Sequence, residues 1–202
     1  MVSAEHIAAR LSGTTIAEEP GRLALEGLPA DLIAAWFPGE MREAAVLLPL
    51  MQHDAGLTVL FTRRTEELPE HAGQISFPGG RRDAGDTTLV DTALRETEEE
   101  IGLTRTAVTV AGYLEPHPVI TGYAVVPVVG FVAPPESLQA EAGEVAEIFE
   151  VPLTHLADPA NLTRVERFRD GIALPTYEYR YQDYVIWGAT AHMLRSFLKV
   201  IS

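Results

Sequence analysis

Within Arg95-Glu96-Thr97-Glu98-Glu99-Glu100-Ile101-Gly102-Leu103, a helical step of about 100° per residue puts Glu96, Glu99 and Glu100 within roughly a third of the circumference and turns Glu98 away. Like charges three and four residues apart, about 5–6 Å between Cβ atoms, repel one another and weaken an isolated helix. A cation between them removes that repulsion. Carboxylate oxygens are the donors that Mg²⁺ and Mn²⁺ prefer, and Mg²⁺ typically keeps several waters while also binding substrate phosphates. Water activated there can attack phosphorus, so the chemistry on offer is hydrolysis of a pyrophosphate. Glutamate triplets also occur as plain solvated charge runs. Here, however, Val90, Leu94, Thr97 and Ile101 form a mostly apolar stripe beside the carboxylates, and Gly102 suits the position just past a helix end, so the acids are expected to flank a buried face. Upstream, Phe77-Pro78-Gly79-Gly80 offers a tight backbone path that could present the Gly80 carbonyl to the cation.

The segment from Gly80 to Leu103 resembles the Nudix box, which reads G, five residues, E, seven residues, then R-E-U-x-E-E-x-G-U, with U a bulky apolar residue. Arg95-Glu96 and Glu99 to Leu103 match in register, while Thr97 takes an apolar position. Asp86 stands where the pattern has Glu, and one extra residue separates it from Arg95. A turn of that length resembles the coenzyme A pyrophosphatase branch of the Nudix hydrolases. A second pattern of that branch, L-L-T-x-R-S-x-x-L-R-x-H-x-G-x-x-x-F-P-G-G, is similar to Leu60-Phe61-Thr62-Arg63-Arg64-Thr65, Leu68-Pro69-Glu70-His71-Ala72-Gly73 and Phe77-Pro78-Gly79-Gly80. Thr65 replaces Ser and Pro69 replaces Arg, and Arg63 or Arg64 could make the phosphate contact of the missing arginine. Arg42 to Leu50 and Ile186 to Thr190 are weaker echoes of the same branch.

The resemblance implies an α/β fold, a Nudix α/β/α sandwich with a mixed β-sheet. It makes Glu96, Glu99 and Glu100 the expected ligands of Mg²⁺ or Mn²⁺, with Arg95 orienting them and the Gly80 carbonyl as a further donor. Arg63, Arg64, His71, Gly79 and Gly80 are the expected substrate contacts. For the general base, Glu144 is the candidate and Glu147 its competitor by strand alternation, a surface acid being the plain alternative for both. His117, between two prolines, reads as loop. The implied reaction is cleavage of coenzyme A, or its acyl or oxidised forms, to 3′,5′-ADP and 4′-phosphopantetheine. Two alternatives stay open. One is a Nudix pyrophosphatase acting on ADP-ribose, a dinucleotide or a nucleoside triphosphate. The other is a nucleotide-binding module without turnover, although such modules usually lose carboxylates that are retained here.

With 202 residues and 47% hydrophobic content, the chain can build one domain with a full core. We expect residues 1–40 to be an N-terminal extension packed on the same domain and residues 41–202 to be the Nudix domain. No apolar run approaches the roughly 18 residues of a membrane span and no signal-peptide layout begins the chain, so a cytoplasmic protein without a membrane partner is expected. The absence of cysteine removes thiolate ligands. A net charge of −14 argues against nucleic acid as a partner. A small anionic nucleotide such as coenzyme A stays compatible if cations and the arginines at 63, 64, 81 and 82 offset the repulsion. Of 15 basic residues only Lys199 is lysine, a bias that suits phosphate contacts but that codon preference also explains. A homodimer is one option for the oligomeric state.

Patterning predicts helices at Ala4–Leu11 and about Ala189–Val200, and strands near 44–50, 57–62, 108–114, 123–132 and 145–149. An aromatic-rich stretch from Thr176 to Trp187 reads as hairpin strands, with Asp170-Gly171 as a turn and Pro134-Pro135 as loop.

Overall fold

The computed structural model describes residues 2–68, 71–169 and 172–202; the Asp170-Gly171 turn and Pro69 lie outside them. The longest strand, β1 (Arg42–His53), is buried along most of its length. Its near-continuous apolar run is what a strand covered on both faces requires. It pairs in parallel with β7 (Tyr123–Val132), Ala44 opposite Val125 and Val46 opposite Pro127, and antiparallel with β2 (Gly56–Arg64). Around this centre lie β3 (Ile75–Ser76), β4 (Gly79–Arg81), β5 (Val108–Tyr113), β6 (His117–Val119) and β8 (Val145–Pro152). Together they form an eight-stranded sheet that is mixed because only the β1–β7 pair is parallel. A second sheet holds β9 (Leu162–Arg169), β10 (Ile172–Tyr181) and β11 (Tyr184–Trp187) in the order β11-β10-β9.

Helices sandwich the main sheet. On one face, α1 (Ala4–Leu11) and α6 (Gly188–Ile201) bury Ile7, Leu11, Leu194 and Phe197 against Leu48, Leu50 and Phe61. On the other, α4 (Leu89–Ile101) packs Leu89, Ala93 and Ile101 against Ala45, Leu47 and Val126. Short helices α2 (Pro20–Leu25) and α3 (Ala30–Trp36), not anticipated from the sequence, and α5 (Leu153–Ala157) complete the set.

The helix that carries the acids is set at both ends. Thr88 and Asp91 form a reciprocal capping box, with the Asp91 N–H donating to Thr88 Oγ1 at 3.1 Å and the Thr88 N–H to Asp91 Oδ2 at 2.8 Å. Gly102 closes the helix at φ 70°, a left-handed turn that glycine takes without a Cβ penalty. Thr97 and Ile101 are buried as expected, but Leu89 and Ala93 complete the stripe in place of Val90 and Leu94, which are half-buried at its border. Thr97 is tolerated inside because its hydroxyl donates to the Ala93 carbonyl at 2.6 Å. His117, expected in a loop, lies in β6 and stacks on His192 with ring centres 5.2 Å apart.

Candidate active site

β4 passes so close to β1 that only glycine fits. A Cβ on Gly79, at φ 147°, would meet the Ala45 carbonyl at 2.4 Å, and one on Gly80 would sit 2.5–2.7 Å from the carboxylate atoms of Glu96. The glycines therefore bring bare backbone against α4. The Gly79 N–H donates to Glu100 Oε2 at 3.1 Å.

Glu100 is only 5% exposed, and burial pushes its carboxyl up to about 8 against the opposing pull of the Gly79 amide and Arg64. Glu96 is raised for the same first reason, despite its contact with Arg95. Glu99, by contrast, is exposed. Arg95 ties the three elements together. Its Nη1 donates to Glu96 at 3.0 Å and to Glu99 at 3.1 Å, while its Nε and Nη2 both reach the Asp86 carboxylate at 2.9 Å. Asp86 also accepts from the Asp83 amide and the Thr92 hydroxyl. Fixed by these donors, its carboxyl stays well below the usual range, with the Arg95 contact the largest cause. The shorter acid on the longer turn thus still grips the arginine. Glu98 faces away toward Arg105, as the helical period requires.

Arg95, Glu96, Glu99 and Glu100 line a cleft of about 710 Å³. Gly79, Gly80, Arg64, His71 and Glu144 line it too. Arg64 brings its Nη1 to 3.9 Å from Glu100 Oε1, and its Nε is buried with no hydrogen-bond partner among the described residues. His71 adopts φ 59° and shares a hydrogen bond between Nδ1 and Gln74. Glu144 is exposed at the rim, its carbonyl accepting from the Thr65 N–H, and its charge helps raise both Glu96 and Glu100.

Arg63 is not among the cleft residues. Successive strand residues point oppositely, and a bulge in the β2–β8 pairing falls between Arg63 and Arg64. Arg63 instead pairs with Glu147 at 2.9 Å, and Glu147 accepts from the Tyr184 hydroxyl at 2.6 Å, a network that lines a separate hollow. The arginine cluster expected from the sequence is therefore divided, and Glu147 is drawn away from the acids while Glu144 is brought to them. Arg82 is held by Glu43 at 2.6 Å. An adjoining hollow of about 740 Å³ contains Arg42, Arg81 and Arg82, but Glu40, Glu43 and Asp83 offset them and neither Glu96 nor Glu100 lines it. Asp86 as the anchor of Arg95 was legible only as a motif departure, and nothing in the sequence singled out Ile120 or Met193 as cleft residues.

Among the described residues no three acidic or histidine side chains converge as a formed ion site, since Glu96 and Glu99 are engaged by Arg95 and Glu100 by Gly79. The donor set nevertheless suits a hard divalent cation. It is all oxygen, it contains one buried and one half-buried acid, Glu100 and Glu96, whose carboxyls burial raises, and a glycine leaves the room beside Glu96 that any Cβ would fill.

An α/β/α sandwich whose helix delivers Glu96, Glu99 and the buried Glu100 to a glycine-backed cleft is a scaffold for cation-assisted chemistry on phosphates. The NUDIX domain model matches residues 41–170. A protein of Photorhabdus laumondii described as uncharacterized Nudix hydrolase NudL is 42% identical over 153 residues, 76% of this chain and 81% of that protein. Its Yersinia pestis counterpart of the same description is 38% identical over 167 residues, 83% of each chain. This chain belongs to the NUDIX family and, with relatives of that identity and coverage, stands among the Nudix hydrolases, which generally use divalent cations. A solved structure of a MutT/nudix family protein from Enterococcus faecalis covers 93% of this chain and 76% of its own, with a TM-score of 0.50 at 16% identity, a likeness of fold alone.

Proposed function

We propose that this chain hydrolyses the pyrophosphate bond of coenzyme A, or of its acyl or oxidised forms, releasing 3′,5′-ADP and 4′-phosphopantetheine. The observation that carries the chemistry is the meeting, in one cleft, of half-buried Glu96 and buried Glu100 with the Nε of Arg64, which has no hydrogen-bond partner among the described residues. The acids suit a cation and the guanidinium suits a phosphate oxygen. Support for coenzyme A comes from the pattern spanning Leu60 to Gly80.

When bound to Glu96, Glu99, Glu100 and the Gly80 carbonyl, Mg²⁺ or Mn²⁺ supplies charge neutralisation and lowers the pKa of water. Arg95 holds the acids in place, itself held by Asp86. Arg64 and His71 bind phosphate oxygens, and the Gly79 amide positions Glu100. Glu144 takes a proton from the attacking water. An oxygen–phosphorus bond forms as the bridging phosphorus–oxygen bond breaks, and its electron pair leaves on the departing phosphate. No covalent adduct of the chain is required.

The test is mass-spectrometric product analysis with coenzyme A, ADP-ribose, NADH and dATP in separate incubations containing Mg²⁺ or Mn²⁺, beside Glu100→Gln. Adenosine 3′,5′-bisphosphate from coenzyme A, lost in Glu100→Gln, is the expected result. Cleavage of another substrate in its place overturns the coenzyme A assignment, and binding without turnover of any of them favours the non-catalytic module.

A further inference from the structure

Arg63 and Arg64 are identical side chains in succession. Neighbouring residues of a strand face opposite ways, so by chemistry alone either could supply the guanidinium that reaches the cleft. Their surroundings break the tie. In the antiparallel pairing of β2 with β8, Phe61 stands opposite Phe149 and Arg63 opposite Glu147, but Arg64 stands opposite Val145, which leaves Ala146 as the extra residue of the bulge. Phe61 and Phe149 belong to the core on the α1 and α6 side, whereas Val145 belongs to the core under α4. The bulge therefore lets Glu147 meet Arg63 on one face while Arg64 turns to the other, toward Glu100.

On the first face Arg63 donates to Glu147 Oε2 from Nε at 3.0 Å and from Nη2 at 2.9 Å, and the Tyr184 hydroxyl donates to Oε1 at 2.6 Å. Tyr184 is stacked on Phe149 with ring centres 3.8 Å apart. This clasp ties the end of β2 to β8 and to β11 of the second sheet. Its charged side chains are 41% and 34% exposed, and an ion pair of that exposure contributes little stability. Register is another matter, because a slip of one residue exchanges the two faces of a strand. β2 ends at Arg64, and its register beyond the bulge is a single pair, Arg64 with Val145.

We propose that Arg63, Glu147 and Tyr184 are positioning residues that hold the end of β2 in the register that sends Arg64, with its buried Nε, into the cleft. The assignment rests on the reading of Arg64 as a phosphate ligand and adds what fixes it there.

The test is a cycle of Arg63→Met, Arg64→Gln and the double variant, assayed for hydrolysis of coenzyme A with Mg²⁺. Arg63→Met should raise KM and lower kcat/KM by about tenfold with thermal melting nearly unchanged, and Arg63→Lys should recover most of that loss. Added to Arg64→Gln, Arg63→Met should have no further effect, since the side chain it positions is gone. Equal losses in the two backgrounds, or no loss in the native one, overturn the proposal. Should Arg63→Met fail to fold, Tyr184→Phe, which removes one hydroxyl, is expected to give the same pattern at about threefold. A second readout needs no turnover. The Arg64 Nε–H resonance, identified by its loss in Arg64→Gln, should exchange slowly with solvent in the native chain and rapidly in Arg63→Met or Tyr184→Phe; unchanged exchange overturns the proposal. Native kcat/KM in Arg64→Gln sinks the phosphate reading of Arg64, and failure of the native chain to hydrolyse coenzyme A sinks the substrate reading. In either case the exchange measurement still decides the clasp.

Discussion

Both oxygens of the Asp86 carboxylate receive Arg95, and one also receives the Asp83 amide and the Thr92 hydroxyl, so its loss reaches Glu96 and Glu99 through the arginine. Removing one partner of a buried ion pair costs about 3–5 kcal/mol, and disturbing the partners that orient ligands lowers activity or metal affinity by about 10–100-fold. We predict both effects for Asp86→Ala, read by urea unfolding and by kcat, with partial recovery in Asp86→Glu. Gly80→Ala separates site from fold. Its Cβ would fall 2.5–2.7 Å from the Glu96 carboxylate, a side-chain end that can move aside, so Mn²⁺ affinity and turnover should drop at least tenfold with little change in melting temperature. Retained Mn²⁺ affinity would refute this use of the glycine.

Between elements, β6 is fastened to α6 and the second sheet by His117, which stacks on His192, itself edge-on to Tyr177 with Arg195 over the Tyr177 ring. Burial, then His192, brings His117 down to about 4, and His192 is lowered as well, first by burial and then by Arg195. The unfolded chain therefore takes up protons first as pH falls, and stability is lost from about pH 6.5 to about pH 4. Allowing for partial exposure, we expect a loss on the order of 1–2 kcal/mol from His117. Urea midpoints at pH 7.5 and pH 5 should differ more in the native chain than in His117→Phe; equal differences would reject the account. The N-terminal helix is likewise integral to the core. Leu11 is 1% exposed, and Leu11→Ala should cost about 2–5 kcal/mol in the same assay.

For the molecule as a whole, a net charge of −14 opposes the approach of an anionic substrate, and salt screens that repulsion. At constant free Mg²⁺, kcat/KM should rise as ionic strength increases from about 10 mM to about 150 mM; a fall would mean that arginines near the cleft dominate its field. The sequence by itself determined the local features. Helical period placed Glu96, Glu99 and Glu100 together and turned Glu98 away, Gly102 marked the helix end, and the apolar runs located β1, β2, β7 and α6 to within a few residues. Each is a repeat or a cap acting over a few positions. Short elements such as β3, β4 and β6 were not legible, because two- and three-residue strands exist only through their partners. Tertiary structure alone divided Arg63 from Arg64 and Glu144 from Glu147, and turned Asp86 from a motif departure into the anchor of Arg95. Those outcomes depend on strand register and on groups far apart in the chain meeting in one cleft, which no local pattern encodes.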